Sequence, residues 1–106
     1  MPLLDAAFAA VQALAQHRPA FTSDDAWAAL TRDDGDDADA RAIANAFIRA
    51  ERRGLVRNSR VGAYLRGKQA HRRWLTIWLS TALAASPEDA AVYARDCVAA
   101  EDAACL

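Results

Sequence analysis

Arg41, Asn45, Arg49 and Arg52 follow one another at i, i+4, i+8 and i+11. On a helix those offsets place four side chains along one face. A guanidinium fork pairs bidentately with phosphate or with a guanine edge, and an asparagine amide pairs with an adenine edge. The chemistry on offer is therefore recognition of anions and base edges, not bond-making. Arg53 extends the run. Downstream, Arg57, Arg60, Arg66, Lys68, Arg72 and Arg73 crowd a segment that also holds Tyr64 and His71. Ten of the thirteen basic residues thus lie between Arg41 and Arg73, accompanied by a single acid, Glu51. Residues 1–40 carry Arg18 and Arg32 against eight aspartates, and residues 74–106 carry Arg95 against five acids. The formal total of −1 hides a cationic middle third. Polyanions are the usual partners of such a face. The competing reading is a solvated basic surface without a ligand.

Other chemistries find little support. Cys97 and Cys105 are eight residues apart and His17 and His71 are remote from them, so neither a disulfide framework nor a zinc site is expected. The acidic run Arg32–Asp39 reads RDDGDDAD. Counted from Asp33, it lacks the glycine at position six and the glutamate at position twelve of a calcium loop, since Ala44 falls at the latter. A solvated turn is expected there. There is no His–carboxylate pair at useful spacing and no phosphate-cradling glycine loop, which argues against an enzyme. Cofactors, metals and catalytic residues are expected to be none. No apolar run approaches the ~20 residues of a membrane span, and no signal-like segment opens the sequence. The expected setting is the reducing cytoplasm, at the nucleoid if DNA is the ligand.

The elements that must carry the basic residues follow from period and punctuation. The 106 residues allow one domain with one modest core. Of these, 28 are alanine, so the core rests on few large side chains and helix is favoured. Leu3, Leu4, Ala7, Phe8, Val11, Leu14 and Ala15 predict a first helix over about 3–17, closed by Pro19. Phe21-Thr22 reads as a bridging strand. Ser23 is placed to cap a second short helix that buries Trp27 and Leu30. A third helix is expected over about 38–53, with Ile43, Ala46, Phe47 and Ala50 buried and Gly54 as its stop. Leu55–Arg57 then reads as a short strand, Asn58–Ala70 as a polar basic loop, and Trp74–Leu79 as a second strand. Alternation puts Leu75, Ile77 and Leu79 on one face, expected to meet the helices. Trp74, Thr76 and Trp78 share the other face. That indole face needs cover. A fourth helix, with Ser86 as cap and Pro87, Glu88 and Asp89 in its first turn, runs to about Ala100. Its Ala91, Tyr93, Ala94, Cys97 and Val98 could lie on the indoles, on helix one, or on a second subunit.

The order helix, strand, helix, helix, strand, basic loop, strand resembles the winged helix-turn-helix family. The segments carrying the resemblance are AIANAFIRAERRGLVRNSR and HRRWLTIWLS. With FTSDDAWAAL, they are similar to small helix-turn-helix proteins of actinobacterial phages and their hosts. The resemblance covers about residues 3–80. It implies a mostly α fold with a β-hairpin wing and a winged domain over 1–80; the sequence adds a C-terminal helical extension over 81–106, expected to pack on the same domain or on a second subunit. The resemblance also implies double-stranded DNA binding, as in a phage or bacterial transcriptional regulator. Residues 38–53 would be the recognition helix, presenting Arg41, Asn45, Arg49 and Arg52 to the major groove. A wing at 58–72 would set Arg60, Arg66, Lys68 and Arg72 on phosphates or a minor groove. Arg53 at the end of that helix, and Arg57 and Arg73 beside the wing, complete the expected DNA-binding set. A homodimer through helix one or the C-terminal helix would match palindromic half-sites. The acidic loop departs from this pattern, because five carboxylates just before a recognition helix repel phosphate. Either the loop bends away, or the helix docks differently, or the fold serves as a protein–protein module, for example against a host factor.

Overall fold

A computed structural model describes the backbone of residues 2–30, 37–66 and 72–104, and the side chains of 4–30, 40–62 and 75–97. Four helices and a small three-stranded antiparallel sheet alternate as α1 (Pro2–His17), β1 (Ala20–Phe21), α2 (Ser23–Ala29), α3 (Asp37–Arg52), β2 (Val56–Arg66), β3 (Arg72–Ser80) and α4 (Pro87–Ala104). The sheet order is β1-β3-β2.

α1 buries Ala7, Phe8, Val11 and Ala15, with Leu4 and Leu14 partly covered. α3 buries Ala42, Ile43, Ala46, Phe47 and Ala50, which is the expected stripe widened by one small residue. α3 ends as its glycine requires. Gly54 has φ +73, its N–H donates to the Glu51 carbonyl at 3.0 Å, and the Leu55 N–H reaches the Ala50 carbonyl at 2.9 Å. This paired arrangement is a Schellman motif, which only a left-handed residue completes cheaply.

α2 corrects one expectation. Its cap is Thr22, not Ser23, which is the first helical residue. Thr22 has an extended backbone (φ −125, ψ 177), and its N–H donates to the Asp25 carboxylate at 2.9 Å. Asp25 stands three residues after Thr22, where a capping carboxylate must be. A cap at Ser23 would have placed Ala26 there.

The hairpin corrects a second. The polar segment after Arg57 is not a loop from Asn58 onward, because β2 continues to Arg66. Its register against β3 pairs Asn58 with Trp78 and then Gly62 with Thr76. Ser59, Arg60 and Val61 therefore oppose Ile77 alone, two residues more than the partner strand supplies. An even surplus leaves the in–out alternation intact on either side of the bulge. Local polar bonds hold it. Asn58 Oδ1 accepts the Arg60 N–H at 2.8 Å, and Ser59 Oγ accepts the Val61 N–H at 3.0 Å. Arg60 sits at φ 63. These turn-forming side chains made the segment read as loop.

The third correction concerns the two faces of β3. Trp78, not the Ile77–Leu79 face, meets the helical core. Its indole stacks on Phe47 at 5.1 Å with an interplanar angle of 19°, and Phe47 lies 5.9 Å from Phe21. Val56 joins them from β2. Ile77 and Leu79 instead form a second core with Ala20, Ala85 and Ala90, flanked by Leu75, Tyr93, Ala94 and Cys97. α4 thus covers the sheet face opposite the helices, within the same chain. Both faces of β3 are apolar, so alternation identifies the residues that share a face but not which face the helices take. α4 runs to Ala104, past the expected end near Ala100, and Ala91 is exposed rather than packed. The Ser86 N–H donates to the Asp89 carboxylate at 2.7 Å at the start of α4, as its sequence suggests.

α4 is also tied down by a polar cluster. Tyr93 Oη donates to Asp25 Oδ2 at 2.6 Å and lies 3.0 Å from Thr22 Oγ1, while Arg18 pairs with Asp25 Oδ1 at 3.1 Å. Burial, and next the Asp25 carboxylate it bonds, push the Tyr93 phenol well above its ordinary range. At the turn after β3, buried Ser80 donates its hydroxyl to the Ala15 carbonyl, and Thr81 donates to the Gly54 carbonyl.

Candidate nucleic-acid interface

α3 is amphipathic, and its outer face carries the predicted side chains. Arg41, Asn45 and Arg52 are exposed there, together with Ala44, Ile48 and Glu51. Arg49 is half-buried and behaves differently. Its guanidinium carbon lies 5.5 Å from the centre of the Phe8 ring, and an Nη lies 3.8 Å from Asp5 Oδ1. Arg53, one turn on, places its guanidinium 4.8 Å from the same ring centre. Two cations at i and i+4 thus share one aromatic ring of α1, an arrangement stabilised by the ring quadrupole.

Beside them an open groove of about 360 Å³ is lined by Leu4, Asn45, Ile48, Arg49, Arg52 and Arg53. Leu4 and Ile48 are the lining residues not expected from the sequence, and Ile48 is the one on α3. It is 45% exposed although large and apolar. Its position was readable, since it falls outside the Ile43, Ala46, Phe47, Ala50 stripe. The contribution of Asp5 and Phe8 was not readable, because they come from another helix.

The hairpin residues separate into groups. Arg57 is exposed yet committed, since its Nη2 donates to the Ala85 carbonyl at 3.0 Å and so fastens β2 to the turn before α4. Arg60 is exposed at the bulge with Val61 beside it. Arg66 is the register partner of Arg72, and Leu65 that of Arg73. Lys68 and His71 lie outside the described residues, as does most of the acidic run expected at 33–39. The structure therefore brings Asn45, Arg49, Arg52 and Arg53 to one groove, sets Arg41 earlier on the same helix, and leaves Arg57 and Arg60 on the adjoining strand.

Among the described residues, no helix is long and apolar enough to cross a membrane, and no three His, Cys, Asp or Glu side chains gather as a metal site. Comparison with protein-family models, curated proteins and solved structures finds no match.

Proposed function

We propose that this chain is a winged helix-turn-helix domain that binds double-stranded DNA, with α3 in the major groove and the β2–β3 hairpin as the wing. The observation that carries this reading is the exposed Arg41, Asn45 and Arg52 edge of α3, on the helix that leads through a tight Schellman turn into a basic hairpin. The β1-β3-β2 order supports it, since it sets β2 and β3 side by side as a hairpin that directly follows α3. Arg and Asn on one helix face are the side chains whose donors match purine edges, and the hairpin cations suit phosphates. A regulator of transcription, phage or bacterial, is the role that fits.

A second reading has its own observation. Ile48 stands exposed among arginines, and an apolar side chain in that place also suits a protein partner. Titration of a labelled duplex separates the two. Binding whose affinity falls steeply with salt supports DNA. No binding at low salt supports the protein-interaction module.

A further inference from the structure

Arg49 and Arg53 are held rather than free. Both guanidiniums rest on the Phe8 ring, at 5.5 and 4.8 Å from its centre. The ring attracts both cations, but they repel each other, and an anion beside them relieves that repulsion. Among the described residues, the carboxylate that meets them is Asp5, 3.8 Å from Arg49 with a side chain 72% exposed. A contact that long and that open is weak. Arg52 adds a third cation to the same groove. The groove is open rather than enclosed, so it admits a segment of a continuous polymer. Its apolar lining, Leu4 and Ile48, matches the carbon face of a sugar next to an oxyanion.

From this we infer that the groove between α1 and α3 is a pre-arranged phosphate site, which in the DNA complex, on the functional reading above, clamps a backbone phosphate. The work on α3 is then divided. Arg41, on the first half of the helix and outside the groove lining, is left to read base edges. Arg49, Arg52 and Arg53 position the duplex and carry no sequence information. This departs from the expectation that both Arg49 and Arg52 reach base edges in the major groove. Asp5 occupies the clamp in the free protein and is displaced when phosphate enters.

The test is fluorescence anisotropy on two labelled duplexes of unrelated sequence over a salt series, with each variant verified as folded by circular dichroism. Arg49→Gln and Arg53→Gln should each weaken both duplexes by the same factor, on the order of threefold to tenfold, and flatten the salt slope by about 0.9. Asp5→Asn, at an exposed position, should tighten both. Loss confined to one duplex, or no loss while Arg41→Ala and Arg60→Ala weaken binding, overturns the clamp and leaves the DNA reading standing. If the wild-type protein binds neither duplex, the DNA reading falls. Inorganic phosphate, titrated against the arginine Nε resonances, then decides the site alone. Shifts at Arg49, Arg52 and Arg53 uphold an oxyanion site for a free phosphate, and unmoved resonances overturn it.

Discussion

At the scale of single residues, the described structure makes a few side chains do two jobs. Tyr93 buries its ring beside the second core and uses its hydroxyl to hold the Asp25 carboxylate, which also caps α2 and pairs with Arg18. Removing that hydroxyl by Tyr93→Phe leaves Asp25 with one donor fewer, and a charge-assisted bond of this kind is worth about 1.5–3 kcal/mol. Denaturant unfolding should show a loss of that order. The pH dependence has a definite sign. The Tyr93 phenol is raised above its unfolded value, so the stability it contributes is present below about pH 10 and is lost as pH rises past the unfolded pKa. Unfolding midpoints measured between pH 8 and 11 should decline more steeply for the wild type than for Tyr93→Phe. Phe47 contributes through packing alone. Fully enclosed between Phe21 and the Trp78 indole, it should cost about 3–5 kcal/mol when cut to alanine.

At the scale of elements, the helices were legible and the hairpin only partly so. The α3 stripe Ile43, Ala46, Phe47 and Ala50 is a clean 3.6-residue period, and Gly54 marks its end without ambiguity. Asn58 and Ser59 favour turns, which hides the length of β2, and here they build a bulge inside the strand instead of ending it. The face swap on β3 has a different cause. Ile77 and Trp78 are both apolar, and nothing local says which neighbour is larger. The groove was legible in its arginines but not in the wall that Leu4 adds from α1, nor in the Phe8 ring and Asp5 carboxylate of α1 that hold those arginines. Two backbone substitutions test this level. Gly54→Ala meets no atom within 4 Å, so its cost should be that of the left-handed conformation alone, about 1–2 kcal/mol. Arg60→Gly relieves a non-glycine residue at φ 63 and should leave stability within about 1 kcal/mol of wild type, while lowering DNA affinity by removing a wing cation.

At the scale of the whole molecule, charge is segregated by sequence position and the fold uses the segregation. The cations cluster from α3 through β3, and the acids of the described residues lie mainly on α1, α2 and α4. α4 seals the sheet face that α3 does not cover, burying Ile77 and Leu79, which leaves the outer face of α3 open. On the proposed function, a near-neutral chain arranged in this way would approach a polyanion through the side that carries α3 and the hairpin. The measurement that tests this most directly is fluorescence anisotropy of the wild-type protein on a labelled random-sequence duplex at several salt concentrations. Micromolar binding, with log affinity falling linearly against log salt at about −0.9 per phosphate contacted, is the expected result. Absence of binding at low salt, or affinity that does not change with salt, would contradict it.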